Sequence, residues 1–174
     1  MMKYKKITFK QYKNIGDICV LADYEQNTSA IGIANKLKDT WKKPIIFNLR
    51  PELKEKLKGD ISEIYVDEKS EPSADYIVEK CYELSRKIHD FIVIVDSKKP
   101  VNYNKEGLTS LKNLAKELHT HFIFTLDINM SDKIPVLEDI KNDDLSSLAD
   151  VVFLMNDKES ILAKNEYGKI GILK

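Results

Sequence analysis

Residues 91–95 read Phe-Ile-Val-Ile-Val. Five apolar residues in a row, the last four of them β-branched, leave no polar face for water. As a strand, this segment has to be covered on both sides, which is the situation of a central strand in a parallel sheet with helices on its two faces. The rest of the chain supplies the parts for such a fold. Ile18–Ala22, Pro44–Asn48, Ile64–Val66, Phe122–Leu126 and Val151–Met155 are further apolar runs of strand length.

Helical periods fall between them. Ser29–Trp41 places Ala30, Ile33, Ala34 and Leu37 on one face, with Thr28 or Ser29 as N-cap. Pro51 suits a first helical position and opens Glu52–Leu57. Ser73 caps a helix predicted to run to Ile88, with Ile77, Cys81, Leu84 and Ile88 facing inward. Leu108–Leu118 carries a stripe of Leu108, Leu111, Leu114, Ala115 and Leu118. Asp127–Ser147 is polar and is predicted to be irregular. Ile161–Lys164 and Ile170–Leu173 flank Asn-Glu-Tyr-Gly-Lys, where Gly168 can supply the positive φ of a hairpin turn. The expectation is an α/β fold with a C-terminal antiparallel hairpin. With 174 residues, 43% of them hydrophobic, and no repeat or linker, one domain over residues 1–174 is expected.

Lys+Arg and Asp+Glu are 28 each, so the net charge is zero, whereas a dedicated nucleic-acid binder carries a basic excess. Any DNA contact would then be local and weak. The candidates are Lys98 and Lys99 after the FIVIV strand, Lys133 after the next one, and a basic arm of Lys3, Lys5, Lys6, Lys10 and Lys13. Cys19 and Cys81 belong to no CxxC motif and read as buried free thiols. His119 and His121 have no third Cys or His nearby to complete a metal site, so no metal is expected. Residues 1–13 lack the apolar core of a secretory signal, and no apolar run approaches the roughly 18–20 residues that span a bilayer. A cytoplasmic protein without membrane contact is expected.

Residues 16–34, GDICVLADYEQNTSAIGIA, have the layout of a strand, a short loop and a helix start. That is the frame of a phosphate-binding loop, but between Ala22 and Ala30 there is neither glycine nor lysine. Asp23 and Glu25 put two carboxylates there instead, each costing on the order of 1 kcal/mol against a nearby triphosphate.

Three stretches carry a family resemblance. They are residues 145–171 (LSSLADVVFLMNDKESILAKNEYGKIG), FIVIVD with the following LTSLKNLAKELHTHFIFTLDIN, and the pair GDICVLA and KPIIFNL. In this order the chain resembles the C-terminal, RecA-like ATPase domain of DnaB-type replicative helicases. The resemblance implies a RecA-like P-loop NTPase-type fold, and Ala149, Asp150, Lys164, Gly168 and Gly171 sit at matching places near the end. It also implies a nucleotide site whose chemical positions have changed. Asn27 stands for the loop glycine and Thr28 for its lysine, while Ser29 keeps the Mg²⁺-binding hydroxyl. Arg50 replaces the glutamate that polarises the attacking water, and Asp96 keeps the metal-binding aspartate. Lys164 is retained, but Glu166 replaces the arginine that points at a neighbouring subunit's nucleotide. Arg50 is expected either to pair with Glu166 or Asp96, at about 0–1 kcal/mol if exposed, or to have drifted at an unused position.

The expected function is a degenerate helicase-like domain, a binding or assembly module with no cofactor and a replication- or helicase-related partner. One alternative is an ATP-binding helicase-like ATPase that uses Mg²⁺ and an atypical loop. The other is an unrelated α/β protein that binds a small ligand at the carboxyl end of its sheet.

Overall fold

The computed structural model describes residues 6–7, 16–23, 30–37, 42–54, 63–97, 103–128, 134–155, 160–167 and 170–173. Among the described residues nine strands form one sheet: β1 (Lys6–Ile7), β2 (Ile18–Asp23), β3 (Lys43–Phe47), β4 (Tyr65–Val66), β5 (Phe91–Ser97), β6 (Phe122–Asp127), β7 (Val151–Met155), β8 (Ser160–Asn165) and β9 (Gly171–Leu173). Their spatial order is β1-β9-β8-β7-β2-β6-β5-β3-β4. β2 through β7 pair with one another only in parallel, and β8 runs antiparallel to both β7 and β9. The α/β architecture with a C-terminal antiparallel hairpin is therefore as expected.

The FIVIV strand is β5, and it lies between two helical layers. Phe91, Val93 and Val95 join one core with α3 (Ala74–Ser85), α4 (Lys105–Glu117) and α5 (Asp143–Leu148). Ile92 and Ile94 join the other with α1 (Ala30–Leu37) and α2 (Pro51–Lys54). Alternate side chains of one strand thus enter opposite layers, the geometry that a continuous apolar run demands.

Side-chain caps set several helix limits apart from the expected ones. Ser73 Oγ accepts from Tyr76 N at 3.2 Å, as its sequence position implied, but α3 ends at Ser85 and Ile88 lies beyond it. α4 starts at Lys105 rather than Leu108 because Asn104 Oδ1 accepts from Gly107 N at 2.8 Å. The segment 127–147, expected to be irregular, contains a 3-10 turn (Leu137–Ile140) and α5. Asn142 Oδ1 accepts from Leu145 N at 2.9 Å, and Asp143 and Asp144 sit in the first turn beside the positive helix end. Lys6, read as part of a basic arm, belongs to β1, parallel to β9 with Lys6 opposite Ile172. The loop 24–29, the helix ends at 38–41 and 55–57, and the turn at Gly168 lie outside the described residues.

Candidate functional site

The carboxyl ends of β2, β3, β5 and β6 share one edge of the sheet, and an acidic residue ends or nearly ends most of them. Asp23 ends β2 opposite Asp127, which ends β6. Asp96 lies near the end of β5 opposite Thr125. Arg50 lies between β3 and α2, and its carbonyl accepts from Leu53 N at 2.9 Å in the first turn of that helix. Because β3 and β5 are neighbours, Arg50 leaves its strand directly beside Asp96.

The contact is a buried clamp. Arg50 Nε donates to both Asp96 oxygens at 3.1 Å, and the Arg50 backbone N–H donates to Oδ2 at 3.1 Å. Thr125 Oγ1 donates to Asp96 Oδ1 at 2.6 Å. Arg50 Nη1 reaches past Asp96 to Asp127 at 2.9 Å. Arg50 is 4% exposed and Asp96 0%. Of the two partners the sequence left open for Arg50, Asp96 is therefore the one used, and the pair is buried rather than exposed.

Glu166 is excluded as Arg50's partner within the chain. β8 runs antiparallel to β7, so the end of β8 lies beside Val151, at the opposite edge of the sheet. There Lys164 Nζ donates to the carbonyls of Ser146 at 3.2 Å and Ser147 at 2.5 Å, with Glu166 Oε1 at 3.7 Å. An ammonium against the last carbonyls of α5 is a favourable helix ending. Lys164 is thus used inside its own chain.

A second buried carboxylate organises that opposite edge. Asp150 Oδ2 accepts from Asp17 N at 2.8 Å and Ile18 N at 3.0 Å, and Lys112 Nζ binds Oδ1. Lys112 also donates to Leu148 O at 3.0 Å. Burial alone would raise the Asp150 carboxyl, but the Lys112 ammonium and the Ile18 and Asp17 N–H groups outweigh it and hold it below the ordinary carboxylate range. Burial likewise works against the Lys112 ammonium, and Asp150 overcomes it, so that its pKa is raised. Gly16 passes so close that a Cβ there would lie 2.4 Å from Asp150 Cβ, and its φ of +70° also favours glycine. Sequence reasoning noted Ala149-Asp150 but gave Asp150 no role.

His121 Nδ1 lies 2.6 Å from Gly16 O, and a carbonyl only accepts, so this nitrogen carries the hydrogen. His119 is exposed. Among the described residues no group of three or more His, Cys, Asp or Glu could hold a metal ion. Both cysteines are buried and free. No described helix is long and apolar enough to cross a membrane. Asn27, Thr28, Ser29, Lys98, Lys99 and Lys133 lie outside the described residues.

A nucleotide-bound Mg²⁺ does not fit the described part of this edge. An ionised carboxylate offers about four acceptor positions. Asp96 fills them with Thr125 Oγ1, the Arg50 N–H and Nε shared by both oxygens. With no exposed surface, it has no oxygen to offer a hydrated cation.

No family model and no curated protein sequence matches the chain. Solved structures do. One, the ATPase domain of a DnaB-like helicase, is 18% identical with a TM-score of 0.67, over 90% of this chain and 79% of that one. A second, a DnaB-like replicative helicase solved for its structure and its interactions with primase, is 19% identical with a TM-score of 0.68 over 92% of this chain. The chain spans 55% of that helicase. The likeness is one of fold, and it matches the resemblance read from the sequence: this chain has the RecA-like fold of DnaB-type helicase ATPase domains.

Proposed function

We propose that this chain is a replication-helicase-related RecA-fold domain that does not hydrolyse ATP and acts as a binding or assembly module in the cytoplasm. The observation that carries this reading is Asp96. At the place where the resembled helicases hold Mg²⁺ through water, this carboxylate is fully buried and its acceptor positions are taken by Arg50 and Thr125. Phosphoryl transfer in such domains depends on that metal, on a phosphate-binding lysine and on a group that positions water. The sequence has Thr28 and Arg50 at the latter two positions. Lys164, turned onto the α5 carbonyls, supports the same reading, because it is engaged within the chain. The partner class follows the fold relatives: a replication protein, such as the primase with which the DnaB-like helicase interacts.

A Mg-ATPase assay tests this directly. Turnover is expected to stay at the level of a no-protein control, and Thr28→Lys alone is expected to restore none, since the loop glycines and the water-positioning glutamate are still missing. Turnover that disappears in Asp96→Ala would overturn the proposal.

A further inference from the structure

Arg50 bonds from three separate atoms: its backbone N–H and Nε to Asp96, and its Nη1 to Asp127. Those acceptors belong to two different strands, β5 and β6, while Arg50 itself follows a third, β3. Asp23, ending β2, faces Asp127 in the register. Three carboxylates therefore gather at the ends of neighbouring strands, and a guanidinium only 4% exposed is set among them. A drifting residue at an abandoned position has no reason to be buried. A long charged side chain would extend into water, because burying it without partners is costly. The fork of a guanidinium, in contrast, fits two carboxylates at once in a way that an ammonium does not.

We infer that Arg50 is the resident cation of this edge. It neutralises Asp96 and Asp127 and ties the exits of β3, β5 and β6 together from within the chain, so that this end of the sheet is set without metal or nucleotide. The inference rests on the reading that the edge does not take Mg-ATP, and it adds a regulatory consequence. A domain whose edge is completed by its own side chain holds one state where a nucleotide-driven domain would alternate between loaded and empty ones. Its binding surface would be constitutive.

Thermal melts of the full chain test this, using wild type, Arg50→Met, Asp96→Asn and the double variant, each in EDTA and in MgCl₂. Methionine keeps the apolar stem and removes only the charge and the donors. Wild type is expected to melt at the same temperature in both buffers. Arg50→Met is expected to melt roughly 6–20 °C lower, because Asp96 is left as a stranded buried charge. The double variant is expected to recover much of that loss, since no charge is then stranded. If Arg50→Met does not fold, a folded double variant supports the inference and an unfolded one overturns it. Strictly additive losses, an Arg50→Met variant as stable as wild type, or a wild type stabilised by Mg²⁺ also overturn it. ATP turnover by wild type would instead sink the non-catalytic reading, so the two failures are told apart.

Discussion

Asp150→Asn removes one charge from a carboxylate that holds the start of β2, the start of β7 and α4 together. The two N–H donors of Asp17 and Ile18 converge on Oδ2, and Lys112 binds Oδ1. An asparagine oriented to keep its oxygen on the two N–H groups must turn its NH₂ toward the Lys112 ammonium, donor against donor. One charge-assisted bond worth about 1.5–3 kcal/mol is lost, and two others fall toward the neutral value of about 1 kcal/mol. Lys112 is 19% exposed and can turn to water, and the carboxylate no longer has to be desolvated. Together these leave a net loss of about 2–3 kcal/mol, or a melting temperature lower by about 4–12 °C for a domain of this size.

The pH dependence fixes the cause. The folded Asp150 pKa lies below its unfolded value of about 3.9, so its contribution is present above that value and is lost as pH falls through the folded pKa. Lys112 is raised, so its contribution is present below about 10.4 and is lost as pH rises through its folded pKa. The gap between wild type and variant should be flat between about pH 5 and 9 and should close beyond both ends. Urea unfolding at pH 7, 5 and 3 measures it. A gap under about 0.5 kcal/mol at pH 7, or one that widens on acidification, would refute the reasoning.

Burial pushes the Cys81 thiol up to about 12 and raises Cys19 as well, with the charges of Asp67 and Asp150 adding to each in turn. Since the thiolate is the nucleophile, neither should react with a disulfide reagent at about pH 8 until the chain is unfolded. Fast reaction of the native protein would contradict this. Light scattering should give the same mass with and without ATP, because Glu166 replaces the arginine expected to reach a neighbour's phosphate and Lys164 is tied to α5. An ATP-driven shift to a ring of several subunits would sink that expectation. In fluorescence anisotropy, DNA should bind no tighter than the roughly 10⁻⁴–10⁻⁶ M of non-specific association, with steep salt dependence and single strands at least equal to duplex. Nanomolar binding that survives moderate salt would show otherwise.

The sheet was legible because its strands are written in runs too apolar to be anything else, FIVIV above all. The edge chemistry was only half legible. Arg50 and Asp96 were visible as candidates, but their pairing depends on β3 lying next to β5, a fact of topology and not of local sequence. Glu166 was misplaced as a partner for the same reason, since the reversal of β8 carries it to the far edge. α5 was missed because six mostly polar residues give no helical stripe, although Asn142 followed by Asp143 and Asp144 is a helix-start signal. Asp150 gave no signal in sequence because its partners are backbone N–H groups at positions 17 and 18 and a lysine on α4.

The pairing of Lys6 with Ile172 sets an order of events during synthesis. A ribosome delivers β1 long before its sheet neighbour β9. The outermost strand must therefore wait, unpaired, while the whole α/β body forms, and it closes only once β9 has emerged. Until then β8 is an open rim able to accept a strand from another copy of the chain. Removing residues 170–174 should prolong that exposure and raise aggregation during expression, with little change to the α/β body already formed.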